Sequence, residues 1–372
     1  MDLQLSDDQR ALRSGMRDLL GAVFDREALR AAVQRGGAVD RGLWRELGAA
    51  GLFALRLPEE AGGVGLGLPE AVLLFEEAGR ALLPGPLVAT HLAAGAVEGA
   101  AEGEAVVTVA EGGGRPVAHL AEADAVLVRS GVRAGSGALA GSGGLTGLGV
   151  LTGEALAAFL AEAGPVRSLD PLTPLHRAEG LAGAVTGLAG AATRLEGAVT
   201  ELARAAAGLA RGSEAYPGAF RDQGALLTAA EQLGSATRTT EMAVQHARAR
   251  EQFGAPIGSF QAVKHLCADM LARTEPARSA LYAAALTADP VEIAAAKLLA
   301  DEAAVRNARD CLQIHGGMGF TWEADVHLHL KRAWLRASRW LTAAESEEIL
   351  AAALGPSSGP VPPPYSGSAA SG

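Results

Sequence analysis

AEQLGSATRTTEMAVQHARAREQFGAPIGSFQAVKHLCADML, residues 230 to 271, is the stretch whose reading decides the fold. Apolar residues recur at helical spacing up to Arg250, and Gly254, Pro256 and Gly258 then interrupt the pattern before it resumes near Ser259. The spacing predicts two long helices joined by a tight corner. That corner gathers Arg250, Gln252 and Phe253. A guanidinium is planar, permanently charged and fork-like, so it suits a diphosphate, and an aromatic ring covers an adenine face. The alternative is that Arg250 pairs with a neighbouring acid and Phe253 packs in a core.

Working outward, helical periodicity continues through residues 290 to 354 and begins upstream at Thr193, which predicts a long-helix bundle. QIHGGMGFTWEADVHLHLKRA, residues 313 to 333, ends one of these helices in Gly316, Gly317 and Gly319, where a ligand can approach the backbone. For Gly316 and Gly317 alone a helix C-cap reads equally well. His327 and His329, two apart on a helix, diverge and do not form a metal pair. His315 is read either as support for the glycine turn or as a packed side chain.

Residues 1 to 102 read as an all-α domain, opened by an amphipathic helix behind Ser6 as N-cap. Short β-branched runs closed by glycine (VVTVAEG, ADAVLVRSG, LTGLGVLTG) make residues 103 to 182 a small β domain. The bundle is assigned to 183 to 354 and a disordered tail to 355 to 372, which is rich in Gly, Pro and Ser. The expected fold class is therefore mostly α.

The 372 residues carry 32 Lys+Arg against 42 Asp+Glu, a net charge of −10 that excludes nucleic acid as the main partner. No apolar run reaches the roughly 20 residues of a membrane span. Two isolated cysteines and an acidic N-terminus predict a cytoplasmic protein without a metal or an export signal.

Four segments together resemble the acyl-CoA dehydrogenase family of flavoproteins: the first helix, WRELGAAGLFALRLPEEAGGVGLG at 44 to 67, the corner run RxQFGxPIxxFQ, and QIHGGMGF with its preceding helix. The family has the same order of three domains. The resemblance implies FAD as cofactor, an acyl-CoA substrate, and an electron-transfer flavoprotein as electron acceptor. It also implies that Arg250, Gln252, Phe253, Gln261, Gln313 and Gly317, with Gly316 beside it, contact the ADP half of FAD.

The family's chemistry uses a buried Glu to remove the α-proton of a thioester while the β-hydrogen passes to the flavin. The two family positions for that Glu fall on Gly224 and Trp340, neither of which is a carboxylate. Glu231, two turns along the helix and so about 10 Å away, is the nearest substitute; Asp222 is a further candidate. The middle domain also lacks an AGSD-like flavin loop, and no Trp or Tyr lies between Trp44 and Tyr216. What is kept are contacts given to a neighbour's flavin, and what is missing are contacts to the chain's own. The chain thus resembles β-type subunits of α₂β₂ acyl-CoA dehydrogenases. The alternatives are a self-sufficient homo-oligomer using Glu231, and a non-catalytic scaffold.

Overall fold

The computed structural model describes residues 4–111, 114–129, 148–178 and 219–355. The expected helix from Thr193 and the expected tail beyond Gly355 lie outside the described residues.

Five helices form the N-terminal part: α1 (Asp7–Val23), α2 (Arg26–Gln34), α3 (Arg41–Ala49), α4 (Leu68–Arg80) and α5 (Leu87–Ala93). Ser6 caps α1 as its sequence predicts, accepting from the Gln9 amide while the Gln9 side chain returns to the Ser6 amide. Asp25 and Asp40 cap α2 and α3 in the same way.

The middle part holds strands β1 (Val107–Ala110), β2 (Val117–Ala118), β3 (Ala125–Arg129), β4 (Leu148–Leu151), β5 (Ala163–Val166) and β6 (Leu175–Ala178). They make two small sheets, ordered β1-β3-β4 and β2-β6-β5. A nine-residue helix, α6 (Gly153–Ala161), lies among the strands of the region read as a small β domain. Its GEALAAFLA run is too rich in Ala and Leu for a strand.

The C-terminal part contains α7 (Ala219–Ala249), α8 (Gln261–Thr287), α9 (Pro290–His315), α10 (Val326–Ala337) and α11 (Ala343–Leu354). The 31-residue α7 is the axis of the molecule and is buried without interruption from Asp222 to Ala236, against α4, α8 and α9. Two glycines let α4 and α7 touch through their backbones. A Cβ on Gly79 would lie 2.0 Å from the Glu231 carbonyl oxygen, and one on Gly234 would lie 1.8 Å from that of Glu76.

The C-terminal periodicity from Asp325 to Leu354 hides a break. The chain leaves α10 at Ala337, turns through Trp340 at φ 63°, and restarts at α11 behind a Thr342–Glu345 capping box. The architecture is mostly helical, as the sequence predicts, and no described helix is long and apolar enough to cross a membrane.

Candidate functional site

The corner after α7 is a two-residue-strand hairpin in which Glu251–Gln252 pairs with Ala255–Pro256. Its tip is Phe253 at φ 53° followed by Gly254 at φ 78°. A left-handed backbone costs a bulky residue about 1 to 2 kcal/mol, so the tip stores strain. Phe253 is 94% exposed, and its ring stands edge-to-face with Phe260, 6.1 Å away between centroids. Phe253 is therefore not core. The exposed Arg250 guanidinium makes no hydrogen bond or ion pair among the described residues, which removes the neighbouring-acid reading. Gln252 donates to the Glu251 carbonyl at 2.7 Å, and exposed Gln261 opens α8.

The end of α9 reaches the same place. His315 stacks on His246 with ring centroids 4.1 Å apart and planes 18° from parallel, joining the last turns of α7 and α9. Burial, His315 and Arg250 together hold the His246 imidazole below its ordinary value. Gly316 then turns at φ 59°, and a Cβ placed on Gly316 or Gly317 would meet nothing within 4 Å. These glycines end the helix and also leave its end open. Gln313 is exposed on the last turn of α9. Beyond them Met318, Phe320 and Trp322 are exposed at 58%, 80% and 56%, an apolar surface of the kind that marks contact with another molecule.

His327 and His329 take different roles, as their spacing predicts. His327 stacks on Trp322, whereas His329 is buried, shares a 2.7 Å hydrogen bond with Ser235, and is pushed down to about 3 chiefly by burial.

The two positions expected to carry a base meet in space. A Cβ on Gly224 would lie 2.3 Å from Cε3 of the Trp340 indole, so the ring rests on the bare backbone of α7. Phe220 supports the indole edge-on at 5.4 Å. Glu111, just beyond β1, holds this arrangement: its carboxylate accepts from the Trp340 amide at 2.7 Å and from Arg339. No side chain fits at 224 unless the indole moves.

Beside this contact lies a cavity of about 80 Å³, bordered by Thr228 and Glu231 of α7, Arg332 and Arg336 of α10, and Arg339. Glu231 Oε1 accepts from Arg336 Nη2 at 2.7 Å. Burial raises the Glu231 carboxyl and lowers Arg336 to about 10, so desolvation outweighs pairing on both sides. Asp222 is buried near Arg221, 3.8 Å away. Arg332 pairs with Asp170, which lies in the loop before β6.

Sequence reasoning missed Arg332, Arg336, Arg339, Glu111 and Asp170. Positions 332 and 336 share one face of α10 at i, i+4 spacing, a basic pair readable in the sequence, and Arg339 follows just past the helix end. The acids that meet it lie far away in sequence and carried no such signal.

Residues 6–103 match the family model for the acyl-CoA dehydrogenase N-terminal domain, and residues 211–350 that for the C-terminal domain. Acyl-CoA dehydrogenase IpdE2 of Mycobacterium tuberculosis is 34% identical over 328 residues, covering 88% of this chain and 91% of that protein. The chain belongs to the acyl-CoA dehydrogenase family. A second family member, FadE34 of the same organism, is 33% identical over 88% of this chain, which spans only 45% of that longer protein. Among solved structures, PigA with FAD and proline has the same fold, with a TM-score of 0.72, 18% identity and coverage of 95% and 99%. Two features bear on how the family's chemistry runs here: an open corner whose arginine has no partner among the described residues, and an indole where the sequence leads one to expect a carboxylate.

Proposed function

We propose that this chain is a base-lacking, β-type subunit of a heteromeric acyl-CoA dehydrogenase, completing the FAD site of an α partner. The reading rests on Trp340 lying against Gly224, because one contact fills both positions expected to hold the base. The residues present fit the ADP half of FAD: Arg250 is unpaired among the described residues, Phe253 is held out at positive φ, and Gly316 and Gly317 are open. Arg250 would take the diphosphate, Phe253 the adenine face, and Gln252, Gln261, Gln313 and the glycine backbone the remaining polar edges. The loop after β1, where a flavin-ring cradle is expected, instead commits Glu111 to Arg339 and Trp340. Exposed Met318, Phe320 and Trp322 beside the corner suit a subunit interface.

When bound, FAD would supply the acceptor for the β-hydrogen. The α partner would supply the carboxylate and flavin cradle, and the substrate would be a CoA thioester of a fatty acid or of a bulky group such as a steroid side chain. An electron-transfer flavoprotein would take the electrons, in a cytoplasmic setting. The test is to purify the chain alone and together with an acyl-CoA dehydrogenase that carries both a base and an AGSD-like loop. The expected result is no stoichiometric FAD and no turnover alone, with both present in the complex. Tight FAD with turnover by the isolated chain overturns the proposal.

A second reading is favoured by one observation: Glu231 is buried, has a raised pKa and borders the cavity. In a self-sufficient homo-oligomer it would be the base. Glu231→Gln would then abolish turnover by the isolated chain, and unchanged activity removes it.

A further inference from the structure

We infer that the cavity between α5, β1, α7 and α10 binds a small carboxylate, taken up by Arg332 and Arg336. Both guanidiniums are more than nine-tenths buried, with side-chain exposures of 5% and 7%. Each keeps one nitrogen, Arg332 Nη2 and Arg336 Nη1, without a hydrogen-bond acceptor among the described residues. Arg332 Nε and Nη1 donate to Asp170 and the Leu83 carbonyl, and Arg336 Nη2 donates to Glu231. A buried charged donor left unpaired is expensive, and the two side chains that carry such donors border one cavity, which points to an acceptor there.

Charge selects the kind of acceptor. The cavity wall carries Arg332, Arg336 and Arg339 but only one carboxylate, Glu231; the acids that pair the other two arginines, Asp170 and Glu111, stand behind the wall. Such a wall favours an anion, and a planar carboxylate matches guanidinium donors. Pro86, Leu87, Val109 and Ala118 add an apolar stretch to the wall, beside Thr108, Thr173 and His119. The apolar stretch suits a short carbon chain. The cavity volume of about 80 Å³ is several times the roughly 10 to 15 Å³ needed for one water, so a short-chain acid fits and a long alkyl chain does not.

This site is separate from the Arg250 corner, and its test needs no flavin and no partner. Titration calorimetry on the full chain in carboxylate-free buffer would compare propionate with propionamide, which has the same shape without the charge. Saturable binding of propionate and none of the amide is expected. Removing Arg336 together with its partner, as Glu231→Gln/Arg336→Gln, is expected to weaken propionate by roughly tenfold or more. Leu335→Phe enlarges a half-buried residue of the wall, leaves every charge in place and is expected to abolish binding. It keeps the test decisive if the double variant does not fold. No propionate binding, equal binding of the amide, or unchanged affinity in the variants that fold overturns the inference.

Discussion

The helix α7 carries Gly224 near its start and Arg250 just past its end, roughly 40 Å apart at 1.5 Å per residue, and its two ends are finished in opposite ways. Around Arg250 the chain leaves a guanidinium unpaired among the described residues, holds Phe253 in a strained backbone and puts bare glycines at a helix end. Around Gly224 it does the reverse: an indole covers the glycine, and the Glu111 carboxylate ties the indole's backbone down. Unused donors and stored strain lower the stability of an isolated chain, so they persist where something else is bound. A packed aromatic stabilises the chain by itself and fills the space that a carboxylate at position 224 would need. The contrast separates a surface built to receive from a base position built to close.

The largest expected effect tests the closed end. Asp170→Ala leaves the buried Arg332 without its partner, and loss of one member of such a pair costs about 3 to 5 kcal/mol. Urea unfolding should therefore show a large drop in midpoint. A change below about 1 kcal/mol would mean that solvent or Glu231 compensates.

The open end is tested next. Arg250→Ala should leave the melting temperature of the isolated chain unchanged, since Arg250 supports nothing within it. In a complex with an α partner it should weaken FAD by roughly 30- to 100-fold, the worth of a charge-assisted contact of about 2 to 3 kcal/mol. Fluorescence of released flavin reads this directly. A destabilised chain with normal flavin retention would make Arg250 structural.

Gly224→Ala returns to the closed end with a smaller perturbation. Its methyl group must displace the indole, and overpacking of this kind costs about 1 to 3 kcal/mol. Adding Trp340→Leu should recover part of that loss. A double-mutant cycle measures the coupling, and simple additivity would show that the two residues do not press on one another.

The smallest effect has the opposite sign. Phe253→Gly relieves a positive φ and should stabilise the isolated chain by up to about 1 kcal/mol while weakening FAD in the complex. Opposed signs in thermal melting and flavin retention are the signature of a residue kept for a ligand. A loss in both would place Phe253 among the packing residues instead.

Much of the helical frame is legible before any coordinates. Ser6 and Gln9 announce the start of α1, and the glycines and proline after Arg250 announce the corner, because caps and turns depend on neighbours in sequence. The site is legible only where it is equally local, as in the corner run and the glycine pair. Glu111 and Trp340 are 229 positions apart and Asp170 and Arg332 are 162 apart, so no periodicity or motif announces either contact. The break at Trp340 is hidden for a related reason. Residues on both sides keep helical spacing, and the indole takes its positive φ as it packs against α7.

The sequence by itself therefore determined the mostly helical class, the three-part order, the family resemblance and the absence of a carboxylate at positions 224 and 340. Those features reside in residue identity and short-range spacing. Only the tertiary structure decided that the two vacant base positions are one packed contact, that Glu231 is bound to Arg336, and that two buried arginines, each with an unpaired nitrogen, border a common cavity. Burial and pairing are properties of surfaces brought together by folding, and side chains separated by a hundred residues acquire them only when their helices meet.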